Sequence, residues 1–574
     1  MTTKTTERNP GRNRAQLVTN RALRWSVAIP RGLSAYWIDM LQRTGVAVTL
    51  LGESDARGAV AFCAGVDLAG DVAMLAQLRA LRDSGVPLVV DAAAFALLTG
   101  RPARVLRASR LTGVGRFFDG ADDVRMPVRI AVAGGAKYGC VAPQGVPAIA
   151  IDEDGNAPLI GLPLPAVAEL DGAAPRVERF PLPRGRSTVE IVSGCDHGGL
   201  RRLVENALRI ASHAAGLPFV RFAPAPGNHI GAFAMRVDAD SFEATATTRT
   251  LEALARGDVR ATWFIDVERH ARRGGVAAVR EIVAAGHEVQ SHCWRHYTYR
   301  SRRKNRANLA RSIEVLSAWG VEATAFAAPF GTWNAGLDAA MRDNGIAWSS
   351  EFSRCHDDAP GAWPHSRVHR GAWLTDPPWQ VPVHPVCPGM MFVAGLSADE
   401  IHEHCAAIVT SKLVRGEPAV LYGHPIGDLE RLPELFTSLD RTLTRLEDTA
   451  RGGTAKELTP VWQPTLSELC AFHRARRHQA VVCRVGTDHL EGEVRGPAGL
   501  WIDLPDGTRV RTGPGRFVVR FDESALTRRD PAVGNESGGV RRLVPRSSLR
   551  PVLARMRIGV ARWKREVMRQ AGGE

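Results

Sequence analysis

Short apolar runs alternate with amphipathic stretches along most of the 574-residue chain. The alternation is most regular between residues 233 and 446. FAMRVDA at 233–239 reads as a strand and 242–255 as a helix. ATWFIDV at 261–267 is strand-like, and 276–286 has helical spacing closed by a glycine. Residues 307–320 repeat the helical pattern before EATAFAAPF returns to strand, and PAVLYGH at 418–424 reads as the last strand. Repeated βα units predict an α/β fold with a parallel sheet under helices. Residues 23–127 alternate in the same way and predict a smaller doubly wound, flavodoxin-like α/β domain with no GxGxxG or Walker loop. Residues 128–232 read as a strand-rich region and linker, and 447–540 as a linker and a small β-domain with an Asp506-Gly507 hairpin turn.

Chemistry gathers at the ends of the central strands. GHEVQSHCWRH at 286–296 sets His292 and His296 four residues apart, on one face if the segment makes a helical turn. About fifty residues upstream, Asp238 and Asp240 close the FAMRVDA strand. One carboxylate and two imidazoles leave metal positions open for water and substrate, an arrangement suited to catalysis. Strand C-terminal ends are where barrel active sites form.

In this order the motifs resemble the NodB-homology polysaccharide deacetylases, carbohydrate esterase family 4, and the related deformylases of lipid-linked amino sugars. The resemblance implies that the parallel sheet forms a distorted (β/α) barrel. Asp238 and Asp240 match the first motif, SHCWRH at 291–296 the second, AAPFGTW at 327–333 the third and LYGHP at 421–425 the fifth. The fourth is indistinct, with SSEFSRCHDD at 349–358 in its place. The resemblance implies that Asp240, His292 and His296 hold a divalent metal, with Zn²⁺ first and iron, cobalt or nickel open. It implies that Asp238 is the base, that His424 is the general acid and that the main chain near Phe330 completes an oxyanion site. The family's third-motif arginine, which pairs with the base, is Ala327 here. Arg236 shares a strand face with Asp238 and is the expected substitute. His384, in a proline-rich loop, and Trp333 are further substrate-side candidates, with Trp294 and Trp373 behind them, while His287 is expected to brace its turn.

Composition adds a compartment and a surface. Forty-five per cent hydrophobic residues support packed cores, and no run of eighteen apolar residues predicts a membrane span. Nine cysteines without paired spacing suit a reducing, cytoplasmic setting. Residues 1–22 are polar and basic and read as a disordered tail. Residues 541–574 carry ten basic and two acidic side chains, more than half of the formal +14. Their apolar positions follow helical spacing, so a basic amphipathic helix against the inner face of an anionic membrane is expected, with docking on its own domain as the alternative. No nucleic-acid module accompanies the charge. The expected activity is removal of an acetyl or formyl group from an amino sugar of a polysaccharide or its precursor. An inactive carbohydrate-binding scaffold and an O-acetyl esterase remain open.

Overall fold

The computed structural model describes residues 25–51, 60–154, 156–167, 170, 176–192, 195–351, 365–366, 368–369, 372–373, 378–451, 461–477, 479–485 and 489–520. The tails at 1–22 and 541–574 and most of the fourth-motif segment lie outside these residues. Among the described residues no helix is long and apolar enough to cross a membrane.

The central unit is an eight-stranded sheet. Its strands lie in the order His365–Ser366, Trp379–Gln380, Trp348–Ser350, Ala325–Ala327, Glu288–Ser291, Ala261–Ile265, Phe233–Ala239, Ala419–Gly423. All neighbours are parallel except the antiparallel edge pair His365–Ser366 with Trp379–Gln380. Every residue of Phe233–Ala239 and Ala261–Ile265 is buried, as a sheet covered on both faces requires. Wholly buried side chains such as Phe264 and Ile265 each contribute about 1.5–3 kcal/mol of apolar transfer. The helices Ala244–Arg256, Val276–Ala284, Arg302–Ala318 and Ala398–Val414 separate the strands in sequence.

The sheet curls into a half-barrel. Arg236 donates from Nη1 to Ser350 Oγ at 2.9 Å, although their strands stand four places apart in the sheet. In a flat sheet four spacings amount to about 19 Å, far beyond the reach of one arginine. The guanidinium therefore bridges the concave interior. Among the described residues the two edge strands do not pair, so the curled sheet is an open half-barrel, consistent with the distorted barrel expected.

The N-terminal sheet runs Val48–Leu50, Val27–Ile29, Val60–Cys63, Leu88–Asp91, Leu159–Leu162, Ala150–Asp152. Its first five strands are parallel and follow the 2-1-3-4-5 flavodoxin-like order. The fifth comes from Leu159–Leu162, so this sheet runs through residue 127 and takes up part of the strand-rich region. Arg82 and Arg101 fix the antiparallel sixth strand by ion pairs to Asp152 at 2.5 and 2.9 Å.

The C-terminal strands do not stand alone. Leu500–Asp503 pairs antiparallel with Phe219–Phe222, and Leu490, Leu500, Ile502 and Phe517 share one apolar cluster with Trp25, Phe62 and Leu203. Gly507, at φ 88, makes the turn that Asp506-Gly507 predicts. The helix His197–Ala214 joins the parts. Its buried Arg201 reaches Glu205 at 2.7 Å and Glu417 at 2.9 Å, and Arg202 and Arg221 also pair with Glu205. Glu417 lies two residues before the strand Ala419–Gly423, which His424 follows, so this buried network fixes the base of a site-bearing strand.

Candidate metal centre

The site sits at the C-terminal ends of the sheet. Asp238 is the sixth residue of Phe233–Ala239 and Asp240 follows the strand. His292 follows Glu288–Ser291, and His424 follows Ala419–Gly423. Asp240 Oδ1 stands 3.1 Å from His292 Nε2 and 3.0 Å from His296 Nε2, and the two Nε2 atoms are 3.0 Å apart. Ligands about 2.0–2.1 Å from a tetrahedral ion lie about 3.3 Å from one another, so this triangle fits one divalent cation. No helical turn sets it up. Residues 292–296 form a loop, and Cys293 at φ 67 bends the chain so that both rings face Asp240.

His292 is fixed from behind. Its Nδ1–H donates to the Ala327 carbonyl at 2.7 Å, which leaves Nε2 to the cation. Burial works against the Asp240 charge, but His296 and His292 together hold its carboxyl well below the usual range. Burial likewise opposes a charged His292, yet Asp240 and Asp238 push it up, while burial leads in pulling His296 down. The set can take a cation in place of the imidazole proton.

Arg236 is fully buried and grips Asp238 with both arms of its fork. Nε donates to Oδ1 and Nη2 to Oδ2, each at 2.6 Å. The guanidinium also lies 5.4 Å from the Phe264 ring centre and 5.5 Å from that of Tyr422. A bidentate pair fixes the orientation of the carboxylate as well as adding binding energy.

His424 donates from Nδ1 to Asp428 Oδ2 at 3.0 Å. Burial lowers the basicity of the ring, but Asp428 more than offsets it and holds His424 well above the ordinary value. Asp428 is itself pinned, its Oδ1 accepting the main-chain N–H of His424 at 2.6 Å and of Leu429 at 2.7 Å. The motif comparison missed Asp428; its position four residues after His424 was the available signal. It also missed Asp266, which follows the Ala261–Ile265 strand, caps Val267–Arg272 and is pushed by burial to about 7.

The remaining candidates separate. Phe330 packs edge-on against His296 at 4.9 Å and holds φ 61, a left-handed conformation that costs a bulky residue about 1–2 kcal/mol. Such strain is often found at ligand-binding loops. Trp333 packs against the small core of Leu309, Phe326 and Leu337, and Trp294 lies under Arg311 at 5.4 Å. His384 is not brought to the metal cluster. Its main chain bonds Val420, four residues before His424 on the strand, and its electrostatic neighbours are Lys412 and His404. Burial holds His384 well below the ordinary histidine value, so it is a neutral interior ring. His287 accepts from the Ala261 N–H at 3.2 Å, a brace between neighbouring strands. The Trp373 side chain lies outside the described residues.

No curated protein sequence matches the chain. Among solved structures, a protein of Mycobacterium smegmatis described as a candidate polysaccharide deacetylase is 20% identical over 44% of this chain and 94% of its own, with TM-score 0.34. A family 4 carbohydrate esterase from Streptomyces lividans, solved with acetate, is 17% identical over 39% and 91%, with TM-score 0.27. A family 4 pseudoenzyme from Bacillus anthracis is 15% identical over 43% and 69%, with TM-score 0.29. Residues 232–348, which carry Arg236, Asp238, Asp240, His292, His296 and Phe330, match the polysaccharide deacetylase family.

Proposed function

We propose that this chain is a metal-dependent hydrolase that removes an N-acyl group, acetyl or formyl, from an amino sugar of a polysaccharide or its precursor. The observation that carries the reading is the 3.0–3.1 Å triangle of Asp240, His292 and His296, beside a second carboxylate and a third, carboxylate-paired imidazole. Amide hydrolysis needs an activated water, a stabilised oxyanion and a proton for the leaving amine. A divalent cation on the triad, Zn²⁺ first by its donor set, would polarise the acyl carbonyl and acidify water.

The chain's own groups divide the remaining work. Asp238, held by Arg236, takes the proton of the attacking water. His424, kept protonated by Asp428, gives a proton to the departing nitrogen. The strained turn at Phe330 presents main chain to the developing oxyanion. The basic segment 541–574 supports a substrate made at an anionic membrane, a lipid-linked or nascent chain; loss of liposome flotation on deleting it is the expected result.

The test is release of acetate and formate from a panel of N-acylated amino sugars and their oligomers. Release by the metal-loaded protein and its loss in Asp238→Asn support the proposal. Sugar binding without release at any metal loading sinks it and favours a binding scaffold.

A further inference from the structure

A second set of metal-type donors lies beside the first. The Cys387 thiol, the His424 ring and the Asp428 carboxylate each offer a ligand atom, and the three atoms lie within 4.8 Å of one another. Cys387 and Asp428 are buried, which shields these donors from bulk water. Three elements converge here. Cys387 precedes the helix Pro388–Val393, and Tyr422 Oη donates to the Pro385 carbonyl at 3.2 Å, tying that loop to the strand that ends before His424. Asp428 Oδ1 is taken up by two main-chain N–H groups, so Oδ2 is the oxygen turned towards the ring. Gly389 lets the carboxylate come close: a Cβ there would stand 3.3 Å from Asp428 Oδ2.

We propose that Cys387, His424 and Asp428 form a second cation site, selective for thiophilic divalent ions such as Zn²⁺ or Co²⁺, whose occupation inhibits the enzyme. The chemistry follows from the donors. Thiolate with imidazole selects zinc-like ions over Mg²⁺ or Ca²⁺. Metal–sulfur and metal–nitrogen lengths of about 2.3 and 2.0 Å place such donors about 3.5 Å apart, so small side-chain rotations close the triad. Binding releases the thiol proton and the ring proton now shared with Asp428 to solvent. With a cation on Nδ1 the His424 ring is no longer an imidazolium, and the N–H left on Nε2 is a far weaker acid than the one it must supply to the leaving amine. One side chain then belongs to two states, general acid when the site is empty and ligand when it is filled. The site makes the activity a function of free metal, with a maximum at intermediate concentration.

The inhibitory part rests on the role proposed above for His424; the binding part does not. The experiment is a Co²⁺ titration of metal-free protein followed by absorption and activity together. The first site contains no sulfur ligand, so sulfur-to-cobalt charge transfer reports the second alone. We expect activity to rise with the first equivalent. The charge-transfer band then appears with the second as activity falls about tenfold or more. Cys387→Ser should lose both the band and the inhibition while keeping the first-equivalent activity. No band at saturating Co²⁺, or a band that survives Cys387→Ser, overturns the site. A Cys387-dependent band with undiminished activity overturns the inhibitory role and, separately, the role of His424.

Discussion

Replacing Arg236 by methionine isolates the pair that orients the proposed base. Arg236 is wholly buried, its two arms hold Asp238 at 2.6 Å, and Nη1 reaches Ser350 Oγ across the half-barrel. Methionine fills much of the volume but leaves Asp238 buried without its counter-charge. Removing one member of such a pair costs about 3–5 kcal/mol. Replacing both members avoids the uncompensated charge, so Arg236→Met with Asp238→Asn should recover about 2 kcal/mol of that loss. Urea denaturation of wild type, both single variants and the double variant measures the coupling. In the same proteins kcat should fall about 10²-fold or more in Arg236→Met, as when a base loses its orientation. Metal content should not change, because the Arg236 guanidinium is engaged by Asp238 and Ser350 and supplies no donor to the cation. A double variant no more stable than Arg236→Met, or a single variant with full turnover, would refute the reasoning.

Asp428→Asn removes the group that raises His424, so the alkaline limb of the kcat/KM profile should move to lower pH and the rate should drop about 10²-fold. The same shift acts on folding. His424 contributes stability below its unfolded value near pH 6.5 that is lost as pH rises through its elevated folded value, and thermal unfolding across that window should be flatter in Asp428→Asn. His292→Ala with His296→Ala should abolish the tightly held ion that survives dialysis, read by elemental analysis, and hydrolysis with it. Glu205→Gln leaves Arg201, Arg202 and Arg221 buried around a neutral partner and should lower unfolding stability by about 3–5 kcal/mol without displacing the metal.

Strand ends were the legible part of the chain. Continuous apolar runs such as FAMRVDA and ATWFI are what a strand buried on both faces needs, and they appear as Phe233–Ala239 and Ala261–Ile265. Turn glycines marked boundaries equally well, as at Gly286 and Gly507, both at positive φ. Local spacing failed where a non-glycine residue takes a left-handed conformation. The four-residue step from His292 to His296 suggested a helical turn, but Cys293 makes it a bent loop. Long-range partners were not legible either. Nothing near Leu500 announces a partner at Phe222, and nothing in the HPVCPG loop announces that Cys387 meets His424 while His384 faces Lys412. Those outcomes depend on how loops cross the sheet, which no local pattern encodes.

The central claim is that a cation held by Asp240, His292 and His296 drives removal of an acyl group. Its most direct measurement is acetate and formate release by protein stripped of metal and then restored with one equivalent of Zn²⁺ or Co²⁺. The stripped protein should release neither, and the first equivalent should restore release with unchanged fold by circular dichroism. Release that is indifferent to stripping, or none with the ion demonstrably bound, would contradict it.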